Sequence, residues 1–242
     1  MPADLKVARA ALHMWEEPCI SGKAGSGAVF FSGCSVGCVF CQNHAIAAGQ
    51  SGKRISIERL ADIFLELQQQ GANNINLVTP DHVIPAIVPA LRDAKARGLH
   101  LPIVYNSSSY VQVESLRMLD DLIDIYLPDL KYVSTELSAR YSGAPDYFTH
   151  SSAAITEMVR QVGDAQFDDR DMMTRGVIVR HLLLPGCLED SKAVVRWLWE
   201  TFGDHIFLSL MSPYTPMPGL EGYPELQRTH TPEEYDTLPD NA

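Results

Sequence analysis

Three cysteines lie within eight residues of one another, with the spacing of a metal or cluster site. They are Cys34, Cys38 and Cys41, and their loop also carries Gly33 and Gly37. Thiolates this close together can converge on one inorganic centre, and three of them leave a four-iron cluster one protein ligand short. Because an open coordination position separates catalytic from closed structural metal sites, the C-x3-C-x2-C spacing is typical of a reactive centre.

Other interpretations of the cysteines remain open. A structural zinc site normally has four Cys or His ligands, and His44 is near enough in sequence to complete one. A disulfide framework is disfavoured because five cysteines are an odd number in a chain of ordinary enzyme size. Cys19 and Cys187 lie apart, and ordinary thiols are the simplest interpretation of both. Cys187 alone has a second interpretation, as a hydrogen-atom donor or accessory ligand.

The elements that must position this loop follow an alternating pattern. Such alternation favours a parallel sheet with helical crossovers, either a partial (β/α)6 barrel or a flat doubly wound sheet. The charged stretch 164–175 is typical of a solvated connection. Apolar runs predict strands over 28–31, 74–79, 101–105, 122–127, 177–184 and 206–211, and periodicity predicts helices over 57–70, 83–97, 113–119, 135–141, 152–162 and 191–202.

Length and composition indicate a single α/β domain over 1–242. The chain is 46% hydrophobic and 20% charged, which is ordinary for a globular protein. We expect an N-terminal extension over 1–27 and an irregular C-terminal tail over 213–242, whose Pro and Gly content favours wrapping over the surface.

Charge and hydropathy narrow the partners and the compartment. The net charge of −11 argues against binding to nucleic acid or to anionic membranes, since both need a basic surface. No run of about 18 apolar residues suggests a membrane span, and the first residues do not resemble a signal peptide. Clustered thiolates fit a reducing compartment, so we expect a cytoplasmic protein.

The cysteine loop, together with Phe40, resembles the signature of radical S-adenosylmethionine (radical SAM) enzymes. The resemblance implies a partial (β/α)6 TIM-like barrel, a [4Fe–4S] cluster on the three cysteines, S-adenosylmethionine on the open iron, and Phe40 near its adenine. Four wider segments are similar to uncharacterised homologues of pyruvate formate-lyase activating enzyme: Glu16-Glu-Pro-Cys-Ile-Ser-Gly22, Gly25-Ser-Gly27, Phe30-Phe-Ser-Gly-Cys34 and Cys41-Gln-Asn43.

The resemblance directs attention to the carboxyl ends of the strands, where loops of such barrels converge. After the second predicted strand, Thr79-Pro-Asp-His82 stands where relatives often have Gly-Gly-Glu, a contact for the cofactor amino group. The hydroxyl of Thr79 and the carboxylate of Asp81 could supply acceptors instead, or Asp81 could cap the next helix. Asn106 follows the third strand, where relatives hold the cofactor ribose or its amino acid portion; the alternative is a simple turn.

Two further strand ends carry charges. Asp129-Leu-Lys131 resembles the Asp-x-Lys motif that contacts the cofactor in activating enzymes, with a surface salt bridge as the alternative. On the fifth strand only one of Arg180 and His181 can face inward. The match to relatives favours Arg180, whose guanidinium could hold a carboxylate, and a core or interface role for His181. Tyr214 is followed by Thr where relatives have Tyr-His.

This resemblance implies reductive cleavage of S-adenosylmethionine and hydrogen-atom abstraction by the resulting 5′-deoxyadenosyl radical. The kinship to activating enzymes implies a glycine of a partner enzyme as the source of the hydrogen atom. A reductant such as flavodoxin or ferredoxin would supply the electron. A small-molecule or peptide substrate is the alternative within this class. Outside it, the chain could be a non-catalytic iron–sulfur or zinc protein for electron transfer or assembly, or a member that binds the cofactor without cleaving it.

Overall fold

The computed structural model describes residues 4–211 and 214–231. Short 3-10 turns occupy Asp81–Val83, Gly203–His205 and Pro224–Gln227. The strands in this range are β1 (Lys6–His13), β2 (Ser26–Phe31), β3 (Lys53–Arg54), β4 (Ile75–Val78), β5 (Ile103–Ser107), β6 (Ile125–Pro128), β7 (Gln166–Phe167), β8 (Met173–Leu182) and β9 (Phe207–Met211). The helices are α1 (Pro18–Ser21), α2 (His44–Ala47), α3 (Ile57–Gln69), α4 (Ile84–Ala96), α5 (Val113–Arg117), α6 (Thr135–Ser142), α7 (Tyr147–Val162) and α8 (Leu188–Phe202).

Six parallel strands form the body of the fold. They follow one another across the sheet in the order β2, β4, β5, β6, β8 and β9. Helices lie between most successive strands of this set, which is the pattern of right-handed crossovers in α/β folds. The predicted fold class, a single-domain partial (β/α)6 barrel with a parallel sheet, is confirmed.

Helix α3 shows how the local sequence sets these elements. Its N-cap is Ser56, whose hydroxyl accepts the backbone N–H of Arg59 at 3.1 Å. Gly71 follows the helix with φ +85°, a conformation that suits glycine. Between these ends, the apolar face is buried as its periodicity predicts, through Leu60, Ile63, Phe64 and Leu67.

The two faces of the strands have different partners. Residues facing the helices join the main core, as Phe31, Leu77 and Tyr105 do. A second, smaller cluster combines residues of β5, β6 and β8 with one residue of α1, and it fills the interior near the amino ends of the strands. Its members are Ile20, Val104, Ile125, Leu127, Met173 and Ile178. Helix α1 therefore packs against the inside of the sheet.

The N-terminal extension contains a strand that the sequence did not predict. Strand β1 pairs antiparallel with β2, with His13 opposite Ser26, and also pairs with the two residues of β3. Its alternation is interrupted at Arg9, next to a register shift in the pairing with β2, and much of the strand is exposed or partly exposed. The extension thus completes one edge of the sheet before the chain turns under the barrel.

Of two expectations about irregular segments, one was wrong. The stretch 164–175 is mostly exposed or partly exposed, as expected, although β7 pairs antiparallel with the start of β8 and Met173 is buried. The tail does not only wrap the surface, because Tyr214, Leu220 and Leu226 are buried in the main core. Apolar side chains spaced six residues apart can each be buried without regular structure. Positions 213 and 232–242 of the predicted tail lie outside the described residues.

The predicted helices and strands differ from the observed ones more in their ends than in their type. Strand β5 ends at Ser107, two residues beyond the predicted end, so Asn106 lies inside it. Helix α7 begins at Tyr147, five residues before the predicted start. Among the described helices, none has the length and apolar character needed to cross a membrane.

Candidate functional site

The three clustered cysteines line a single cavity of about 590 Å³. The cavity lies at the carboxyl end of β2, between the cysteine loop, the start of α2 and the tail segment Met217–Gly219. Cys34, Cys38 and Cys41 are all partly exposed. A concave site with three thiols on its wall is where an inorganic cluster with one open position would be accessible to a second ligand.

Burial controls the protonation of the thiols. It raises the pKa of Cys34 to about 11, against a weaker opposing effect of the Val36 N–H, which donates to its sulfur at 3.4 Å. Burial raises the pKa of Cys41 as well. Without a metal these two thiols hold their protons at neutral pH, and binding of iron would release them.

The thiols are distributed along the cavity wall. Within residues 4–211 and 214–231, no three His, Cys, Asp or Glu side chains are gathered closely enough to hold a single metal ion. Among these described residues, the cysteines and His44 are therefore not gathered as a structural zinc site would require. Ligands of a cluster bind separate irons, so thiols spread around one cavity fit a cluster.

A glycine and a histidine fix the start of the cysteine loop. Gly33 has φ +107°, a conformation that favours glycine, and a Cβ there would lie 3.0 Å from Nε2 of His82. The same Nε2 lies 2.9 Å from the carbonyl oxygen of Ser32. The Gly33 N–H donates to the carbonyl of Ile46 at 2.9 Å. The chain therefore leaves β2 in a direction set by the second strand end and by α2.

The second strand end is polar and strained. Thr79 has φ +57°, which costs a β-branched residue about 1–3 kcal/mol, and its N–H donates to the carbonyl of Asn106 at 2.9 Å. Asp81 accepts hydrogen bonds from the hydroxyls of Tyr105 at 2.7 Å and Ser107 at 2.6 Å, so its side chain does not cap the following helix. Burial raises its pKa, and Oδ2 is buried with no hydrogen-bond partner among the described residues.

Four of the predicted site residues form one network. Arg180 donates through Nη2 to Oδ1 of Asn106 at 2.7 Å and through Nε to Oδ1 of Asp129 at 3.0 Å. Lys131 donates to Oδ2 of Asp129 at 2.7 Å. The side chains of Asp129 and Lys131 are only 17% and 19% exposed, so this ion pair is not the surface salt bridge of the alternative interpretation.

Glu16 completes the network and was missed by the sequence reasoning. It lies after β1, and its carboxylate accepts from Nη1 of Arg180 at 3.3 Å and from the Asn106 amide at 3.4 Å. The neighbouring Glu17 accepts from Ser209 of β9 at 2.9 Å. The segment after β1 therefore crosses from one edge of the sheet to the other. The sequence signal that could have identified Glu16 is its position in the segment Glu16–Gly22, which resembles the activating-enzyme homologues.

The charges in this network shift one another's protonation. Burial would raise the pKa of Asp129, but Arg180 and Lys131 together outweigh it and hold that pKa below its usual value. Burial raises the pKa of Glu16, and this outweighs the opposing effects of Arg180 and His13. The pKa of Arg180 is raised against the effect of burial, mainly by Asp129 and Glu16. Both cations therefore stay charged at neutral pH.

The alternation on β8 places Arg180 and His181 on opposite faces, as expected. While Arg180 joins the interior network, His181 is buried between helices, with Nδ1 2.7 Å from the Leu130 carbonyl and Nε2 2.8 Å from the Ser191 hydroxyl. Burial lowers the pKa of His181 to about 4, so the ring is neutral at physiological pH. It is a satisfied core histidine.

The remaining sequence candidates lie around the cavity or away from it. Phe40 is buried and packs edge-on against Tyr214, with ring centroids 6.5 Å apart. Cys187 is buried, and its sulfur lies 3.9 Å from the Pro185 carbonyl. Cys19 belongs to α1 and packs against the small interior cluster near the amino ends of the strands. Cys19 is thus remote from the cysteine loop.

Fold and site together define a class: a parallel partial barrel whose cysteine loop follows its first parallel strand and whose interior charges lie at the carboxyl ends of the others. A sequence model described as the radical SAM superfamily matches residues 28–198, which include the cysteine loop and Arg180. The chain belongs to the radical SAM superfamily. A [4Fe–4S] cluster and S-adenosylmethionine, the cofactors that the sequence predicted, are those of this family.

A curated relative of this chain is longer than the chain itself. The chain is 27% identical over 232 residues to an uncharacterised protein of Methanocaldococcus jannaschii, covering 93% of this chain and 63% of that relative. It therefore spans less than two thirds of the length of this relative.

Solved structures of similar fold include proteins with the cofactor bound. They include anSMEcpe with bound AdoMet (TM-score 0.57, 12% identity, 88% of this chain and 57% of that one). SuiB of Streptococcus suis, bound to S-adenosylmethionine, has a TM-score of 0.53 at 10% identity, and the match covers 88% of this chain and 47% of SuiB. Methylornithine synthase has a TM-score of 0.56 at 16% identity, and the match covers 81% of this chain and 56% of that protein. At these identities the likeness shows the fold.

The network around Asp129 makes a testable contribution to stability. Replacing Asp129→Asn leaves two cations without their shared carboxylate, and we expect the free energy of unfolding at pH 7 to fall by about 3 kcal/mol. Because the folded-state pKa of Asp129 is lowered, its contribution is present above the unfolded pKa of about 3.9 and is lost as the pH falls through the folded value. Urea unfolding between about pH 7 and pH 3 should therefore show the difference from wild type shrinking in acid.

Asp93→Asn is the matched control for this measurement. Asp93 is 44% exposed and pairs with Arg97 across one helical turn at 3.0 Å, so its replacement should cost less than about 1 kcal/mol. Equal losses in the two variants would show that the interior pair contributes no more than a surface pair.

Proposed function

We propose that the chain is a radical SAM enzyme whose cluster is ligated by Cys34, Cys38 and Cys41. A reduced [4Fe–4S] cluster held there would supply the electron for reductive cleavage of S-adenosylmethionine, the chemistry that would start hydrogen-atom abstraction from the substrate. The observation that carries the proposal is the placement of three thiols on one cavity at the carboxyl end of the first parallel strand. The protein's own part is to hold cluster and cofactor and to keep water from the radical.

The interior network has the groups needed to hold the cofactor's amino acid portion. That portion carries an amino group and a carboxylate. Arg180 and Lys131 offer donors to a carboxylate, while Asp129 and the Asn106 amide oxygen offer acceptors to an amino group. We assign these four residues to cofactor binding.

Two further contacts complete the proposed cofactor site. Thr79 presents a strained strand end joined to Asn106, and the unpartnered Oδ2 of the neighbouring Asp81 is a buried acceptor there. Phe40 belongs to the cysteine loop but is buried against Tyr214, and it is assigned near the adenine on the resemblance alone. Both assignments follow the family resemblance, and the polar strand end supports the first.

A finer proposal concerns the substrate. On the resemblance to activating enzymes, we infer that the hydrogen atom comes from a backbone glycine of a partner enzyme, which becomes a glycyl radical enzyme. The cavity beside the three cysteines has a volume of about 590 Å³, and it is where the reacting glycine would have to enter. Radical modification of a small molecule or peptide is the alternative.

The electron source and the compartment follow from the chemistry. Radical SAM enzymes need an external reductant, and we propose flavodoxin or ferredoxin for this chain. The five cysteines are all free thiols, and a partly exposed thiol cluster is stable in a reducing compartment. We therefore propose a cytoplasmic location.

Cofactor cleavage is the direct test of the proposed chemistry. After anaerobic reconstitution with iron and sulfide, dithionite and S-adenosylmethionine should yield 5′-deoxyadenosine by chromatography. Cys34→Ala should abolish the product because it removes a cluster ligand, whereas Cys19→Ala, on α1, should leave it unchanged. A wild-type cluster that gives no product would contradict the proposal and favour electron transfer or binding without cleavage.

Cofactor affinity tests the assignment of the network. In equilibrium dialysis with the reconstituted protein, we expect Asn106→Ala to weaken binding of S-adenosylmethionine about tenfold, the effect of roughly one lost hydrogen bond. The control is Asn73→Ala, whose amide donates to the Ser21 carbonyl at 2.6 Å, near the amino ends of the strands. Similar affinities for the two variants would overturn the assignment of Asn106.

The partner proposal has its own readout. Incubation of the reduced holoprotein with pyruvate formate-lyase and S-adenosylmethionine should produce an organic radical detectable by electron paramagnetic resonance, and Cys34→Ala should produce none. Formation of 5′-deoxyadenosine without a radical on pyruvate formate-lyase would contradict the activating role and favour the small-molecule or peptide alternative.

A further inference from the structure

The middle cysteine of the loop is held by the carboxyl end of α6. Both of its neighbours donate backbone hydrogen bonds to this helix end: Gly37 to the carbonyl of Ser142 at 3.3 Å, and Val39 to the carbonyl of Tyr141 at 2.9 Å. Between them, the hydroxyl of Ser142 donates to the sulfur of Cys38 at 3.0 Å. Three hydrogen bonds thus fix a segment of three residues to an element about 100 residues later in the chain.

Ligation of a metal by Cys38 would fix which atom donates in the side-chain hydrogen bonds of Ser142. A thiolate has no proton, so its sulfur can only accept, and the single proton of the Ser142 hydroxyl must point to Cys38. The hydroxyl of Tyr132 lies 3.0 Å from the same Ser142 oxygen. Since that proton of Ser142 is already used, Tyr132 must be the donor. The result is a directed chain from Tyr132 through Ser142 to Cys38.

The start of this chain is fixed by its surroundings. Tyr132 is 1% exposed, and burial raises its pKa well above the usual value, so its hydroxyl keeps its proton. Its ring packs edge-on against Tyr147 with centroids 5.6 Å apart. The Tyr147 hydroxyl accepts the N–H of Lys131 at 3.1 Å and lies 2.9 Å from the carbonyl of Asp129. Tyr132, the first donor of the chain, is therefore packed against a tyrosine that is hydrogen-bonded to the strand end with the proposed cofactor contacts.

We propose that Ser142, oriented by Tyr132, is a positioning residue that tunes the cluster by donating a hydrogen bond to the Cys38 thiolate. Reduction by the external donor adds one electron to the cluster and breaks no bond in the protein. The added negative charge is shared by the ligand sulfurs, so a hydrogen-bond donor to sulfur stabilises the reduced state more than the oxidised state. Ser142 thereby makes the cluster easier to reduce. The inference rests on ligation by Cys38, which belongs to the proposed function.

The test is the midpoint potential of the reconstituted cluster, measured by an anaerobic redox titration followed by electron paramagnetic resonance. Ser142→Ala should shift the potential in the negative direction, so that the ratio of reduced to oxidised cluster at a fixed solution potential falls about threefold or more. Ser138→Ala is the matched control, because Ser138 lies one turn earlier in α6, is also buried, and gives its hydroxyl to the Thr135 carbonyl at 3.1 Å. Its potential should equal that of wild type.

A second variant covers the case in which Ser142→Ala does not retain a cluster. Tyr132→Phe keeps Ser142 in place but removes the donor to its oxygen, and it should give a smaller shift in the same negative direction. An unchanged potential in Ser142→Ala, or in Tyr132→Phe when the first variant holds no cluster, would overturn the inference. The titration needs no S-adenosylmethionine, so failure of cofactor cleavage and failure of this inference are separate results.

Discussion

Two cations inside the barrel set the central constraint on this structure. Arg180 and Lys131 are each largely buried, and a buried charge without a partner costs several kcal/mol. Their carboxylates come from different parts of the chain: Asp129 follows the fourth parallel strand, while Glu16 lies before the first. The charges can be satisfied together only if the N-terminal segment passes beneath the barrel, so formation of the site depends on formation of the whole sheet.

This dependence gives a physical role to the part of the chain before the first parallel strand. Strand β1 runs antiparallel to β2, which carries the chain to the amino ends of the strands. Helix α1 then places Ile20 in the small interior cluster, and Glu16 reaches the network above it. The small interior cluster and the charged network are adjacent. The segment that carries Ile20 and Glu16 therefore excludes water from beneath the network and also supplies one of its carboxylates.

The sequence could predict what depends on local spacing, and it missed what depends on distant contacts. The cysteine loop, the N-cap Ser56 and the opposite facing of Arg180 and His181 all follow from residues adjacent in the chain or from strand periodicity. Strand β1 has weak alternation, because Val7 is its only buried residue, and it was not recognised. The partners of Glu16 lie 90 and 164 residues away, and no spacing rule relates such positions. Burial of Leu226 likewise depends on a core that other elements create.

The position of α6 poses an electrostatic problem that its side chains resolve. The carboxyl end of a helix carries partial negative charge, and here it lies against a loop of prospective thiolate ligands. One-electron reduction of the cluster that these thiolates would hold would add further negative charge beside it. Two of its carbonyls are occupied by the backbone N–H groups on either side of Cys38, which reduces the negative field that the sulfur meets. The Ser142 hydroxyl then presents a positive dipole end to that sulfur. A helix end that would otherwise oppose reduction is thereby converted into a support that holds the loop and donates to it.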